Sequence, residues 1–579
     1  MRPLFLLLRL TIIAMNRFLN RWRARRTLAA NPPVAADWNP LTLVAMASLW
    51  MATLANWPLW RALARLPQSD SLRGALFIAG FAAIVACLTG LVLVLAAWPR
   101  LVKTVISVFV VVAAIAAHFM GSYGVVIDPS MIVNVLQTDP TEARDLLDPR
   151  LLLSVALLAA LPLVWLWRAP VQRLPAIRQL GRNALAVLVL CLALVALLVA
   201  SFADLSSTMR NHRSMRYLIN PLNSFYGLAV VAVEANARPR GPLSVIGADA
   251  KAVRSAGRKP PLLLLVVGET ARADHFSLNG YTRPTNPELA TLNVLSFRDV
   301  SSCGTNTAAS LPCMFSHLGK RGFEGRDRDH ENLLDLLQRA GLAVLWLDNQ
   351  SGCKSLCDRV SSAYAITPAR PENPLPAAWC GDTECLDAAL LHDLDARLLA
   401  LPEARRAQGV VIVMHQMGSH GPAYFKRAPA DRKPFMPECT DTALQQCERA
   451  AVVNAYDNSI AYTDHVLAGA IGWLKSTSAA YEPRLLYVSD HGESLGENNI
   501  YLHGLPYAVA PRAQTHVPMI YWQPDTASPT ASPAASCLNR LRDVPLTHDN
   551  LFHSVLGIVG VTAAEYRQAL DVFAACRSP

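Results

Sequence analysis

Residues 261–270 read PLLLLVVGET, and six consecutive aliphatic residues, Leu262–Val267, end there at Gly268 and Glu269. Three later runs are built in the same way and also pass directly into polar residues: Ala343–Leu347, Gly409–Met414 and Leu485–Val488. Short, continuously apolar runs are typical of parallel strands that are buried on both faces. The sequence therefore predicts an α/β domain with a parallel central sheet over residues 261–579.

The residues that end these four runs can bind a metal or carry protons. They are Glu269, Asp348, His415 and Asp490. Ligand sites of open α/β sheets lie beyond the carboxyl ends of the strands. Adjacent Asp490 and His491 offer one oxygen and one nitrogen ligand, a combination that suits Zn²⁺. We therefore expect a metal site at this edge, with Glu269 as a further ligand.

A hydroxyl nucleophile is predicted within Cys303-Gly304-Thr305-Asn306-Thr307. A hydroxyl that follows a glycine turn and opens a helix can be activated by a metal, and the helix N-terminus stabilises an arriving phosphate. Two histidine-containing segments, His415–Pro422 and His503-Gly504, follow later in the chain. Each feature has an ordinary alternative, since glutamates, Asp-His pairs and threonines also cap helices and form turns. Their joint occurrence on one domain favours catalysis.

The N-terminal third carries five stretches that are apolar enough to cross a bilayer, which takes roughly 20 residues each. They are Leu41–Trp60, Gly74–Trp98, Leu101–Ser122, Leu151–Trp167 and Ala184–Ala203. A shorter apolar segment, Pro3–Met15, is interrupted by Arg9, and no small-residue cleavage site follows it closely. We interpret it as part of a cytoplasmic extension rather than as a signal peptide.

The net charge of +10 lies entirely in this third of the chain. Residues 1–205 hold 18 Lys and Arg against 8 Asp and Glu, whereas residues 206–579 hold 35 of each. A basic surface for nucleic acid would instead be expected on the folded soluble part. The basic residues cluster before the first span, between the second and third, and between the fourth and fifth. By the positive-inside rule these loops are cytoplasmic.

One loop departs from this rule. Arg61, Arg65 and Arg73 lie between the first and second spans and would face outward. The other loops agree, so we expect the N-terminus inside and everything after residue 205 outside. The predicted organisation is a cytoplasmic extension at 1–40, a five-helix transmembrane domain at 41–205, a linker with a helix at 206–260, and a catalytic α/β domain at 261–579.

The cysteines agree with this topology. Of 12 cysteines, Cys87 and Cys191 lie in predicted spans, and the other ten follow residue 300. Four close pairs and a candidate fifth are Cys303/Cys313, Cys353/Cys357, Cys380/Cys385, Cys439/Cys447 and Cys537/Cys576. The spacing of Cys353 and Cys357 also fits a zinc ligand pair. Disulfides are the favoured interpretation in an oxidising compartment, although spacing alone does not fix their connectivity.

Four motifs together resemble those of the membrane phosphoethanolamine transferases. They are Glu269-Thr270, Cys303–Thr307, Gly418–Pro422 and Ser489–Glu493. The resemblance is to the lipid A phosphoethanolamine transferases in particular, including the plasmid-borne colistin-resistance enzymes. It extends from about residue 40 to the end and includes the runs Met131–Asp139 and Phe276–Tyr281.

The resemblance implies an alkaline phosphatase/sulfatase fold and a role for each site residue. Thr307 would be the nucleophile that holds phosphoethanolamine covalently. The tight zinc ligands would be Glu269, Thr307, Asp490 and His491. His420 and His503 would bind the phosphate or a second zinc ion, and one of them could shuttle the proton. The donor head-group pocket would comprise Thr305, Gln350, Ser351, Lys354 and Glu493, with Lys354 on the phosphate and Glu493 on the ethanolamine ammonium.

The same resemblance implies a function and a location. Phosphoethanolamine would pass from phosphatidylethanolamine to a phosphate of lipid A in lipopolysaccharide, which confers resistance to polymyxins and other cationic peptides. The alternatives are transfer to sugars of the lipopolysaccharide core and phosphoglycerol transfer within the same superfamily. We expect a monomer in the bacterial inner membrane, with a periplasmic catalytic domain and no nucleic-acid partner.

Overall fold

The structure is a computed structural model that describes residues 37–66, 71–138, 143–144, 146–147, 149–237, 241–254, 257–381, 384–524 and 533–577. These residues form two compact units. The first comprises the described parts of Met1–Ser122, Val126–Leu136 and Leu147–Val231, and the second those of Tyr123–Val125, Gln137–Leu146 and Ala232–Pro579. The predicted extension at 1–40 lies outside the described residues, except for its last four positions.

The N-terminal part of the chain is helical. Its α-helices are Pro40–Thr53, Trp57–Ala64, Leu72–Val94, Val102–Tyr123, Pro129–Gln137, Pro149–Val155, Leu161–Arg168, Ala176–Asn211 and Leu222–Ala237. A π-helical turn, Ala156–Ala160, joins two of these helices, and 3₁₀ turns occupy Leu54–Asn56 and Arg213–Leu218. The last helix, Leu222–Ala237, lies within the predicted linker, where a helix was expected.

Within the described residues, four helical segments are long and apolar enough to cross a membrane. They are Leu72–Val94, Val102–Tyr123, Pro149–Arg168 and Ala176–Asn211. They correspond to the second to fifth predicted spans, and the last extends beyond Ala184–Ala203 at both ends. The first predicted span, Leu41–Trp60, is helical throughout but is not one helix. A 3₁₀ turn, Leu54–Asn56, divides it, and Asn56 Nδ2 donates there to the Met51 carbonyl at 2.8 Å.

The partner of Asn56 at this break is Asn220, which is distant in sequence. The Asn220 N–H donates to Asn56 Oδ1 at 2.9 Å, and Asn56 Nδ2 donates to the Asn220 carbonyl. Asn220 Nδ2 donates in turn to the carbonyls of Ala55 (2.9 Å) and Ala113 (2.7 Å). Both asparagines are completely buried. Buried amides require such partners, so this network stabilises the interruption.

The second unit is built on β-strands. In chain order they are β1 Lys251–Ala252, β2 Pro261–Gly268, β3 Leu295–Ser301, β4 Ala343–Asp348, β5 Ser361–Tyr364, β6 Val410–His415, β7 Glu482–Ser489, β8 Ser494–Leu495, β9 Tyr501–Leu502, β10 His516–Trp522, β11 Leu546–Thr547 and β12 Val561–Thr562. Eight of these described strands form one sheet in the order β11-β3-β10-β7-β2-β6-β4-β5. Two small pairs, β1 with β12 and β8 with β9, lie outside it.

The centre of this sheet confirms the sequence prediction. The four predicted runs are the adjacent strands β7, β2, β6 and β4, and all of their pairings are parallel. Strand β10 runs antiparallel to both of its neighbours, β3 and β7, so the sheet is mixed rather than purely parallel. The apolar runs are buried on both faces, as their composition predicts: every residue of Leu262–Val267 is at most 1% exposed.

Helices cover both faces of the sheet. The α-helices of this unit are Pro287–Ala290, Thr307–Met314, Gly319–Glu324, Leu333–Arg339, Leu394–Leu399, Glu403–Arg406, Arg449–Ser476, Arg512–Thr515, Pro533–Arg540 and Asp549–Val559. Further 3₁₀ turns occupy Ala273–His275, Ser277–Asn279, Asp387–Leu391, Tyr424–Lys426, Ala430–Arg432, Leu444–Gln446, Thr477–Ala479, Glu497–Asn499, Gln568–Leu570 and Ala574–Cys576. One continuous core joins Leu263 and Leu265 of β2 to Leu337 and Phe552 of two helices.

Five disulfides cross-link segments of this unit, and they confirm the predicted pairs. The bonds are Cys303–Cys313, Cys353–Cys357, Cys380–Cys385, Cys439–Cys447 and Cys537–Cys576. Cys353 and Cys357 are therefore bonded to each other and do not form a zinc ligand pair. Cys87 and Cys191 remain free thiols in the membrane helices.

Candidate active site

The carboxyl ends of β2 and β7 bring three candidate ligands together. The two strands are parallel, and Gly268 lies opposite Ser489. The next residues, Glu269 and Asp490, therefore leave neighbouring strands at the same level, with His491 directly after. All three side chains are completely buried. This juxtaposition is the one that the strand-end residues predict.

The imidazole of His491 faces the two carboxylates. Its Nε2 lies 3.2 Å from Glu269 Oε1 and 3.4 Å from Asp490 Oδ2. Its Nδ1 lies 2.9 Å from the Gly492 carbonyl, which only accepts, so Nδ1 carries the proton that is donated there. A backbone hydrogen bond of this kind fixes the tautomer and leaves the other ring nitrogen free to bind a metal.

Thr307 places its hydroxyl against this group. Its Oγ1 lies 3.0 and 3.1 Å from the two Glu269 oxygens and 3.4 Å from His491 Nε2. The residue opens helix Thr307–Met314, whose N-cap Asn306 accepts from the Ala309 N–H. The hydroxyl therefore lies beside the first turn of the helix, where the free N–H groups favour an anion.

The backbone around Glu269 is held by close contacts. Thr270 has a positive φ of 53°, and its N–H donates to Asp490 Oδ1 at 3.3 Å. The Tyr456 hydroxyl donates to the Thr270 carbonyl at 2.7 Å. Gly418 also has positive φ, and a Cβ there would lie 2.7 Å from the Glu269 carbonyl oxygen. The glycine of the Gly418–Pro422 motif is therefore required sterically, because no side chain fits against Glu269.

Burial sets the electrostatics of the group. Burial and the charge of Glu269 raise the pKa of Asp490. Burial alone would raise the pKa of Glu269, but the hydrogen bond and charge of His491 lower it. The pKa of His491 is raised because Asp490 and Glu269 outweigh its burial. Two carboxylates that face each other without solvent are costly, and a positive charge between them removes that cost.

The group fits a metal ion. One ligand atom from each of Glu269, Asp490 and His491 lies within 4.8 Å of the others. Asp490 Oδ2 is buried, and the described residues offer it no hydrogen-bond donor. Because buried polar atoms are normally paired, this unpaired oxygen fits a role as a metal ligand. Two carboxylates and an imidazole form a donor set that suits Zn²⁺.

A second histidine group lies beside the first. His503 Nδ1 lies 2.9 Å from Glu493 Oε2, and the Tyr424 hydroxyl donates to Glu493 Oε1 at 3.0 Å. The His503 ring centre is 4.4 Å from that of His491 and 5.7 Å from that of His420. The structure thus places His503 beside His491 and His420 beside His503, and their roles toward phosphate or a second zinc ion stay predictions.

Known protein families match both parts of the chain. Residues 85–235 match the family described as phosphoethanolamine transferase EptA/EptB, and residues 261–561 match the sulfatase family. Phosphoethanolamine transferase EptA of Escherichia coli K12 is 36% identical over 548 residues, which cover 93% of this chain and 97% of that protein. The chain belongs to the phosphoethanolamine transferase family.

Two further relatives extend this result. Phosphatidylethanolamine transferase Mcr-1 of Escherichia coli is 36% identical over 91% of this chain and 96% of that protein. The solved structure of the integral membrane lipooligosaccharide phosphoethanolamine transferase A from Neisseria meningitidis has a TM-score of 0.85 and 32% identity, covering 93% of this chain and 99% of that one. The transferase therefore shares its two-part architecture, and its second unit has the sulfatase fold.

The predicted head-group residues of the transferase form a chain of contacts that starts at Glu269. Gln350 Nε2 donates to Glu269 Oε2 at 3.2 Å. Gln350 Oε1 accepts from the Ser351 N–H and, at 2.6 Å, from the Ser351 hydroxyl. Lys354 Nζ donates to that hydroxyl at 3.1 Å. Thr305 is turned away from this chain, because its hydroxyl donates to the Leu505 carbonyl at 2.7 Å.

Glu493 has a different setting from the one expected for an ammonium ligand. Its carboxylate is completely buried, and its two oxygens contact the Tyr424 hydroxyl and the His503 ring. Burial, and then the charge of Glu493, raise the pKa of Tyr424 well above its usual value, so the phenol stays a donor. In the structure this carboxylate orients His503, and pairing with a substrate ammonium remains a prediction.

The sequence did not indicate that two tyrosines of the transferase, Tyr424 and Tyr456, contact the site. Tyr424 follows the Gly418–Pro422 motif by two residues, so its neighbourhood was a usable signal. Tyr456 lies in helix Arg449–Ser476, where no local pattern marks it.

The sequence also suggested a ligand or proton-carrying role for His415 that the structure does not support. His415 ends β6 as predicted, but its Nδ1 pairs with Asp348 Oδ2 at 3.2 Å. Asp348 also accepts from the Trp346 indole at 2.7 Å, so this pair is bound into the sheet edge.

Proposed function

We propose that this transferase moves phosphoethanolamine from phosphatidylethanolamine to a phosphate of lipid A, through a covalent intermediate on Thr307. The observation that carries the proposal is the position of the Thr307 hydroxyl. It lies 3.0–3.4 Å from Glu269 and His491, at the start of a helix and beside an unpaired carboxylate oxygen of Asp490. The names of the relatives from Escherichia coli and Neisseria meningitidis support the same chemistry.

Zinc is the proposed cofactor. Glu269, Thr307, Asp490 and His491 would hold one ion tightly, and His420 and His503 would bind the phosphate or a second ion. A nitrogen ligand favours zinc over magnesium. Bound zinc lowers the pKa of a hydroxyl and neutralises charge on a transferring phosphoryl group.

In the first step, the Thr307 oxygen attacks the phosphorus of phosphatidylethanolamine. A bond forms between this oxygen and phosphorus while the bond from phosphorus to the diacylglycerol oxygen breaks. The proton that Thr307 gives up ends on the diacylglycerol oxygen, and of His420 and His503 we assign this transfer to His503. Its Nδ1 is engaged by Glu493, so its tautomer and ring orientation are fixed.

In the second step, a phosphate hydroxyl of lipid A attacks the same phosphorus. The bond to Thr307 breaks, and the proton of the attacking hydroxyl returns to Thr307 through the same histidine. Gln350, Ser351 and Lys354 would position the head group during both steps, with Lys354 on the phosphate.

The membrane helices have a direct purpose in this proposal, because donor and acceptor are both lipids. We place the transferase in the bacterial inner membrane as a monomer, with its N-terminus in the cytoplasm and residues 261–579 in the periplasm. Its added ammonium groups would weaken binding of polymyxins and other cationic peptides to lipid A. The absence of net charge on residues 206–579 argues against a nucleic-acid partner.

The decisive experiment is mass spectrometry of lipid A from cells that express the full chain or its Thr307→Ala variant. We expect lipid A to gain one phosphoethanolamine unit only with the unaltered chain. An exposed threonine supplies the matched control, Thr291→Ala, which should leave the modification intact. Continued modification by Thr307→Ala would contradict the assigned nucleophile.

The same samples separate the alternatives. Phosphoethanolamine on core sugars, with unmodified lipid A, would establish a different acceptor. The mass of the adduct on Thr307 identifies the donor head group directly. A phosphoglycerol adduct in place of phosphoethanolamine would overturn the proposed donor.

A further inference from the structure

One of the arginines that depart from the positive-inside rule, Arg73, forms an ion pair between two membrane helices. Arg73 is the second residue of helix Leu72–Val94, and its partner Asp204 lies near the end of helix Ala176–Asn211. Both helix ends belong to the predicted outer face, and both residues lie just outside the predicted spans. The side chains are 76% and 38% exposed, so a ligand can reach the pair from outside.

The geometry of the pair leaves donors and acceptors available. Arg73 Nε lies 3.2 Å from Asp204 Oδ2, and its Nη2 lies 2.9 Å from Oδ1. A guanidinium has five N–H donors, and two of them are used here. The described residues offer the other three no acceptor. Each carboxylate oxygen of Asp204 also retains one lone pair. The pair can therefore bind a phosphate and an ammonium at the same time without breaking.

A cavity of about 430 Å³ opens beside this pair. On one side, charged and hydroxyl groups line it: Ser71, Arg73, Asp204, Ser207 and Thr208. On the other side, the lining is aliphatic and aromatic: Leu63, Leu66, Phe77 and Ile78. The volume is within the usual range for a small-molecule site. A wall with one polar and one apolar side matches a lipid at the boundary between its head group and its acyl chains.

We propose that this cavity binds the head group of one zwitterionic phospholipid. The phosphate contacts the free N–H donors of Arg73, and the primary ammonium contacts the carboxylate of Asp204. The acyl chains then leave along Leu63 and Phe77. An anionic phospholipid is disfavoured because Asp204 lies beside the phosphate site and repels a further negative charge. A choline head group is disfavoured because its quaternary nitrogen has no N–H to donate.

The proposal extends the transferase chemistry but does not depend on it. If phosphatidylethanolamine is the donor, as proposed above, this cavity holds donor lipid within the membrane unit. Binding itself requires no turnover and can be measured in the Thr307→Ala background. A failure of lipid binding here and a failure of lipid A modification are therefore separate results.

The test is native mass spectrometry of the detergent-solubilised full chain carrying Thr307→Ala. The probes are phosphatidylethanolamine, phosphatidylglycerol, phosphatidylcholine and free phosphoethanolamine. We expect one retained phosphatidylethanolamine, at least about tenfold preferred over the other two lipids, which is roughly 1.4 kcal/mol. Free phosphoethanolamine should bind weakly, because it lacks the chains that contact the apolar side. Equal retention of all three lipids would overturn the proposal.

Three further substitutions locate the bound lipid. Arg73→Ala and Asp204→Ala should each abolish the preference for phosphatidylethanolamine. Ser207→Leu narrows the cavity but leaves the ion pair, so it should also release the lipid while the melting temperature stays unchanged. The matched control is Arg298→Ala, which removes an exposed arginine paired with Asp543 in the other unit. If Ser207→Leu and Arg73→Ala retain the lipid as the control does, the cavity is not its site.

Discussion

Two carboxylate–histidine groups lie side by side after β7, and they are built for opposite tasks. In the first, Glu269 and Asp490 face one imidazole, His491, and one carboxylate oxygen has no donor. In the second, both oxygens of Glu493 are engaged, one by His503. The first group is incomplete without a cation, whereas the second is complete as it stands.

The difference shows why a buried carboxylate is suited to bind a cation in one group and to orient a histidine ring in the other. A carboxylate that lacks donors in a buried place contributes negative charge, which only a cation or a proton can balance. A carboxylate that accepts from a tyrosine and a histidine fixes a ring and a tautomer. Composition alone does not separate these cases, because both groups contain buried carboxylate and histidine side chains. The count of available donors does separate them.

The largest expected effect is at Thr307, the proposed nucleophile beside the first group. Thr307→Ala should reduce transfer by about 10⁴-fold or more, because no other hydroxyl replaces the attacking oxygen. Bound zinc should remain, since Glu269, Asp490 and His491 are intact. Lipid A mass spectrometry and elemental analysis of the purified chain measure the two quantities. Loss of zinc equal to the loss of transfer would show that Thr307 acts mainly as a ligand.

The next effect is at the unpaired carboxylate. Asp490→Asn should lose zinc and, with it, transfer, while the metal-free protein becomes at least as stable as metal-free wild type. The reason is that the substitution removes one of two facing buried charges but keeps an oxygen for the Thr270 and His491 N–H groups. Thermal melts with and without a chelator measure both effects. A metal-free variant that melts clearly below the metal-free wild type would contradict this account.

A smaller effect is expected in the second group. Glu493→Gln should reduce transfer by roughly 10–100-fold with zinc content unchanged, because the loss concerns the orientation of His503 and not a metal ligand. Two measurements on the purified chain test this prediction, namely its turnover rate and its zinc content. If this variant loses zinc as Asp490→Asn does, the distinction between the two groups fails.

The smallest effect is expected at Tyr424. Tyr424→Phe removes one hydrogen bond to Glu493 and keeps the ring volume, so transfer should fall by about tenfold or less. The His503–Glu493 contact remains and should preserve most of the activity. Combining Tyr424→Phe with Glu493→Gln should add little to the loss from Glu493→Gln alone. If the double variant loses as much transfer activity as the two single losses combined, Tyr424 acts independently of Glu493.

Much of the catalytic fold could be predicted from the sequence, because buried parallel strands leave a strong local signal. The runs that begin at Leu262, Ala343, Gly409 and Leu485 all became neighbouring strands of one sheet. Strand β3, which lies next to the edge strand β11, and the edge strand β5 escaped detection, since their exposed positions carry polar residues and break the apolar run. The division of the first membrane helix was also hidden, because the partner of Asn56 is 164 residues away.

The metal-ligand residues could be predicted for the same reason. The prediction failed where a role depends on a contact between residues that are distant in sequence. Glu269, Asp490 and His491 follow strands directly, so strand geometry alone brings them together. The role of Glu493 depends on Tyr424, which comes from a separate loop 69 residues away. The nearby Gly418–Pro422 motif marks the neighbourhood of Tyr424, but the contact with Glu493 itself is decided by tertiary packing.

The Cys303–Cys313 disulfide restrains Thr307, the proposed nucleophile. It closes a loop of ten residues that contains Thr307. By loop entropy alone such a closure is worth about 3 kcal/mol. Disulfides form in oxidising compartments, so a chain that has not yet reached one holds Thr307 without this restraint. Under the proposed function, the active site would therefore mature only after export, and its lipid chemistry would be confined in time as well as in place.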